Sequence, residues 1–258
     1  MAEAYFNAKY LGEPTREFVL WLDCMGTQCF MNRSIETAAN FIFKFQGIVA
    51  KYTATFPDIH LYPVMDGVYI TSPNADDIMK LARKIMLGWA ADFANEKEVY
   101  HRCLIRGALA YGDVYQGATI EDRAFYYRPE TTTYKVNKKA VLLGAPVIQA
   151  NQAERTAPPL GIAIHNSCKL SSPAKACFDN EWFVWSKGYP IEKLKKLNDS
   201  VTEYFEHYKK QTKYSGYKEE RIKDHEETFK QYMYLLETMA TPQSQATGAT
   251  QPSATNEA

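Results

Sequence analysis

Phe18-Val-Leu-Trp-Leu-Asp23, continued by Cys24-Met-Gly-Thr27, is the stretch on which the fold turns. A short apolar run of large side chains that ends on a carboxylate and a glycine turn predicts a buried strand presenting an acid at its end. A helix is predicted from about Ser34 to Thr53, with Ile35, Ala38, Ala39, Ile42, Phe43, Gln46, Ile48 and Val49 largely on one face. Ser34 supplies an N-cap and Pro57 a stop. Two β-rich runs, Ile59-His-Leu-Tyr-Pro-Val64 and Val68-Tyr-Ile-Thr71, then flank Met65-Asp66-Gly67, where Asp-Gly is a hairpin signal. A second helix follows from Ala75 to about Phe93, capped by Asn74, with Ile78, Leu81, Ala82, Ile85, Met86 and Trp89 at helical spacing. Cys103-Leu-Ile-Arg-Gly-Ala-Leu-Ala-Tyr-Gly112 reads as another buried strand, followed by Asp113-Val-Tyr-Gln-Gly117. The order β-α-β-β-α-β predicts an α+β, ferredoxin-like core.

Beyond this core, residues 118–139 are polar, aromatic and unperiodic, which predicts a long loop or β-ribbon arm. Gly144-Ala-Pro-Val-Ile-Gln-Ala-Asn-Gln-Ala-Glu-Arg155 predicts a helix with proline in its first turn, stopped by Pro158-Pro159 before a strand at Gly161-Ile-Ala-Ile-His165. Two charged helices are predicted between Ile191 and Met239, broken at Ser215-Gly216, and the tail from Thr241 has a disordered composition. The expected organisation is a main domain over 1–188, a C-terminal helical extension over 189–240 and a tail over 241–258. Leu194, Leu197, Val201, Tyr204, Phe205 and Tyr208 give the extension an apolar stripe that reads as packing or dimer surface.

Lys+Arg and Asp+Glu both total 30 in 258 residues, so no global field favours nucleic acid or an anionic membrane, and any anion site is local. Five cysteines, an odd number without CxxC pairs, fit reduced thiols better than a disulfide scaffold or a zinc site. With no long apolar segment or leader pattern, the expectation is a soluble cytoplasmic protein. His60, His101 and His165 share no metal-ligand spacing and read as ordinary strand or loop residues.

Chemistry concentrates on two carboxylates. If the first strand lies beside the hairpin, Asp23 and Asp66 sit side by side. Together with backbone N–H groups at Cys24-Met-Gly26-Thr27, such a pair suits two divalent cations holding a triphosphate. Taken alone, Asp66-Gly67 is what any hairpin prefers, and Arg106 in an apolar strand could be one half of a structural ion pair.

Four motifs occur here in order: strand-Asp-x-x-Gly, a hairpin Asp, Ile-Arg-Gly-x-x-x-x-Gly-x-Val-x-x-Gly, and Gly-x-Pro-Val-x-x-Ala-x-x-x-Glu. In that order they resemble the catalytic domain of the class III nucleotidyl cyclases over roughly residues 17–165. Within that superfamily the chain looks most like the bacterial pyrimidine cyclases of the antiphage Pycsar system. The resemblance implies a two-metal mechanism using Mn2+ or Mg2+, with Asp23, Asp66 and the Cys24 carbonyl as ligands and Arg106 on the triphosphate, where Gly26 and Thr27 also contribute. It implies a homodimer with shared active sites, and a separate effector protein that reads the cyclic product. Purine cyclases carry Lys or Glu four positions before the hairpin Asp, where the side chain reads the base; here that position is Tyr62, which points to UTP. The family's late-helix Asn and Arg fall on Ile148 and Gln152, but Asn151 and Arg155 repeat the spacing three residues on and are assigned the transition-state role. A second base-reading position falls near Val141, so CTP stays open as the substrate. A catalytically degenerate nucleotide-binding domain also stays open. The GG(D/E)EF hairpin of diguanylate cyclases is absent.

Overall fold

The computed structural model describes residues 8–121, 138–211 and 218–240. The apolar run ending on Asp23 forms β1 (Thr15–Cys24), longer at both ends than the sequence alone predicts. It pairs antiparallel with β3 (Gly67–Ser72) on one side and β4 (Ile105–Gln116) on the other. A strand covered on both faces reads as a continuous apolar run, and β1 does so because Phe18, Leu20 and Leu22 face one layer while Val19 and Trp21 face the other. β2 (His60–Val64) flanks β3, while β5 (Leu142–Leu143) and β6 (Ile162–Ile164) both pair with β4. The order β2-β3-β1-β4 is the antiparallel ferredoxin-like arrangement, so the α+β layout is the one expected.

A short helix not anticipated from the sequence, α1 (Thr27–Arg33), follows the Gly26 turn. Next, α2 (Ile35–Thr53) begins where the Ser34 hydroxyl accepts from the Thr37 N–H, and α3 (Ala75–Asn95) where Asn74 accepts from Asp76 and Asp77. Both caps are those predicted. The buried stripe of α2 runs through Ala38, Phe41, Phe45, Val49 and Thr53, so the predicted face is corrected: Ile35 and Phe43 are 74% and 73% exposed. Phe41 and Phe45 are the aromatic anchors of that helix. Phe45 meets Trp89 of α3 edge to face at 5.7 Å.

On the opposite face of the sheet, α4 (Ala145–Ala153) continues into a 3-10 turn over Glu154–Thr156 and buries Ala150 against Val19, Trp21, Ala110 and Val114. A five-residue α5 (Asn166–Leu170) follows β6. The C-terminal helices α6 (Ile191–Lys210) and α7 (Glu219–Thr238) join the same apolar cluster as Phe18 and Leu20, through Leu194, Leu197, Val201, Ile222, Tyr232 and Leu236. Burying each such side chain contributes roughly 1.5–3 kcal/mol. The predicted α6 stripe is therefore packing surface within the chain. Residues 122–137 of the predicted loop, the Ser215-Gly216 break and the tail from 241 lie outside the described residues. Among the described residues, no helix is long and apolar enough to cross a membrane.

Candidate active site

Strand register places the first two acids. Asp23 stands opposite Gly67 of β3, and the residue before that glycine is Asp66. The backbone N–H of Cys24 donates to the Asp66 carbonyl at 3.3 Å, which ties the end of β1 to the hairpin turn. Val64 and Gly67 form the last ladder pair, so the turn consists of Met65 and Asp66, with Met65 taking the strained φ of 51°. This corrects the three-residue Met65-Asp66-Gly67 turn read from the sequence. Gly67 opens β3, and glycine is needed there because a β-carbon would fall 2.2 Å from the Trp21 indole and 2.8 Å from the Leu22 carbonyl. From α2, the Gln46 amide donates to the Met65 carbonyl at 3.2 Å and steadies the turn.

The pair is electrostatically costly as it stands. Burial, then Asp66, then Glu154 push the Asp23 carboxyl up to about 7, against the pull of Arg106. Carboxylates crowded this way fit a hard divalent cation with oxygen ligands. Among the described residues no group of three or more His, Cys, Asp or Glu side chains gathers to hold a metal, so the available donors are these carboxylates and main-chain oxygens. The Cys24 carbonyl accepts the Thr27 hydroxyl at 3.0 Å and keeps a second lone pair. The Cys24 thiol is buried against Cys103 and lies in the helix-covered core with Leu22. Gly26, at φ 78°, caps α1, while the Met25 N–H is already used by the Leu104 carbonyl at 2.7 Å.

Arg106 stands opposite Asp23 on β4. Its Nε donates to Glu154 in an ion pair of two largely buried side chains, 18% and 9% exposed. Its Nη1 lies 3.4 Å from Nε2 of His225 on α7. Neither partner was singled out from the sequence. Glu154 closes the Gly-x-Pro-Val motif, and a lone arginine in an apolar strand already called for a buried acid. Nothing local marks His225, which meets Arg106 across 119 residues of chain.

Tyr62 pairs with Tyr69, and Tyr69 with Trp21, so the three share the sheet face of Asp23 and Arg106. Tyr62 is 6% exposed, and burial pushes its hydroxyl up to about 12. From α4, the exposed Asn151 lies near the Tyr69 side chain, whose hydroxyl is pushed up chiefly by burial. Arg155 is exposed on the 3-10 turn, and no described residue pairs with it. The end of α4 thus brings Asn151 and Glu154 to the sheet, and not Arg155.

No protein-family model matches the sequence, and no curated relative matches it. Among solved structures, the guanylate cyclase domain of RhGC from Catenaria anguillulae in complex with GTP is similar at 17% identity and a TM-score of 0.48, covering 64% of this chain and 85% of that one. A bacterial light-regulated adenylyl cyclase is similar at 14% identity and a TM-score of 0.46, covering 66% of this chain and 48% of that one. An adenylate/guanylate cyclase/hydrolase from Silicibacter pomeroyi is similar at 16% identity and a TM-score of 0.45, covering 59% and 76%. The likeness to these cyclase catalytic domains is one of fold alone.

Proposed function

We propose that this chain is a nucleotidyl cyclase that converts UTP to 3′,5′-cyclic UMP and pyrophosphate. The observation that carries the reading is the meeting of Asp23, Asp66 and Arg106 at one end of β1: two acids able to hold divalent cations, beside a fixed cation able to meet a phosphate. Asp23, Asp66 and the Cys24 carbonyl would hold Mn2+ or Mg2+. When bound, the metal supplies acidity to the ribose 3′-hydroxyl and charge neutralisation to the polyphosphate. Arg106 donates to the non-bridging oxygens from a guanidinium already oriented by Glu154. Preorganised donors of this kind stabilise charge as it develops on the leaving group.

Tyr62 supports a pyrimidine base. Its hydroxyl stays protonated as a donor, and its ring occupies volume that a purine would need. Asn151, near Tyr69 at the end of α4, is assigned to the ribose on this reading. The active unit is a homodimer in which one protomer's acids face the partner's base-reading surface. On this reading the cyclic nucleotide is a second messenger of bacterial antiphage signalling, read by a separate effector protein.

Pyrophosphate release from UTP with manganese tests the reading. Asp66→Asn is expected to slow release roughly a hundredfold or more while leaving the circular-dichroism spectrum unchanged. An Asp66→Asn protein as active as the parent would remove Asp66 from the reaction.

A further inference from the structure

The C-terminal helix α7 sends one side chain into the site. A guanidinium carries five N–H donors and no lone pair, so a contact between Arg106 Nη1 and His225 Nε2 at 3.4 Å requires that nitrogen to be the acceptor. His225 is therefore neutral with its proton on Nδ1. The surroundings agree: burial first, then the positive charges of Arg106 and Arg221, hold the imidazole down at about 4, against the smaller opposing pull of Asp224. The helix that carries His225 is firmly seated. Ile222 and Phe229 are buried on either side of it, the Tyr232 hydroxyl donates to the Phe183 carbonyl, and Ser186 donates to the Leu236 carbonyl at 2.6 Å. Lys209 of α6 bridges to Glu226 at 2.8 Å, one residue from the histidine.

We infer that His225 is a positioning residue which, with Glu154, clamps the Arg106 fork on two edges and leaves Nη2 to meet an anion beside Asp23, so that α7 is a working part of the active site. No described residue pairs with Nη2. The clamp fixes the plane of the guanidinium before a phosphate arrives, so the ordering of a long side chain does not have to accompany binding. The inference rests on the proposed reading in that Arg106 meets the triphosphate. The clamp itself is a property of the free protein.

Two measurements on the full chain separate these. In ligand-free protein, 15N NMR of the histidine rings is expected to show His225 as the neutral Nδ1–H tautomer, and His225→Ala is expected to move the Arg106 Nε–H signal. An Arg106 signal unmoved by His225→Ala overturns the clamp. Calorimetry with pyrophosphate then reads its consequence: His225→Ala weakens binding about tenfold, and His225→Gln, whose amide oxygen can accept from Nη1, restores most of it. In an Arg106→Ala background His225→Ala should cost nothing further, whereas an equal loss there makes the histidine merely structural. If the parent protein binds no pyrophosphate, the nucleotide reading and the histidine's service to it fail together, while the NMR result still decides the clamp.

Discussion

Asp23 on β1 and Arg106 on β4 stand directly opposite one another in the antiparallel ladder, on the sheet face that α4 covers. The guanidinium draws the Asp23 proton off, yet burial and the charges of Asp66 and Glu154 outweigh it and the carboxyl rises to about 7. One arginine among three acids leaves the site short of positive charge. That shortage is what bound divalent cations would offset.

The first prediction concerns the pH dependence of metal-free stability. Asp23 has a raised folded pKa, so the native state holds the extra proton and stability falls as pH rises from about 4 to about 7. His225 has a lowered folded pKa, so the unfolded state binds the extra proton and stability is lost as pH falls from about 6.5 to about 4. Over their shared window the two slopes oppose each other. Urea titrations in EDTA should show Asp23→Asn steepening the rise of stability with pH and His225→Gln flattening or reversing it. At pH 8, Asp23→Asn should be more stable than the parent, on the order of 2 kcal/mol after discounting for partial exposure. Parallel pH profiles for all three proteins would contradict the assigned shifts.

Gly67→Ala tests the close approach of the hairpin to β1. The added methyl meets both the Trp21 ring and the Leu22 main chain, and only the indole can move. A loss of about 1–3 kcal/mol is expected by chemical denaturation, with a change in tryptophan fluorescence as Trp21 is displaced. A neutral substitution would mean that the strands separate more readily than the register implies.

Much of this fold was legible before the structure because local signals agreed with the global arrangement. The Ser34 and Asn74 caps, the apolar run of β1 and the α6 stripe each specify one element unaided. The face of α2 was misread because Ile35 and Phe43 are apolar and yet exposed, and hydrophobicity alone does not say which of two neighbouring stripes meets the sheet. The turn was misread because Asp-Gly carries strong hairpin statistics, whereas here glycine answers a crowding demand from Trp21 one strand away. Asp23 and Asp66 were legible as a pair because register follows from topology. Glu154 stands in the sequence only as the last position of the Gly144-x-Pro-Val motif, with nothing to tie it to Arg106, and His225 is unmarked, since an ion-pair partner is chosen by tertiary approach.

Arg106 and Glu154 should behave as a buried unit. Arg106→Met leaves the 9%-exposed Glu154 carboxylate without its partner and is expected to cost about 3–5 kcal/mol by urea denaturation. Replacing both, Arg106→Met with Glu154→Leu, should recover most of that stability while nucleotide turnover stays absent. A double variant as unstable as the single one would show that the pair is not coupled.

Tyr62→Phe removes one hydroxyl from a buried ring that otherwise keeps its packing. Its kcat/KM preference for UTP over the other nucleotides should shrink about tenfold with little change in melting temperature. An unchanged preference would place base reading elsewhere.

The most direct test of the central claim is to incubate the purified chain with ATP, GTP, CTP and UTP in the presence of manganese and to identify the products by mass spectrometry. Cyclic UMP formed from UTP, and lost in Asp23→Asn, is the predicted result. Cyclic CMP instead would keep the chemistry and remove Tyr62 as the reader of uracil, and the absence of any cyclic nucleotide from all four substrates would contradict the cyclase reading itself.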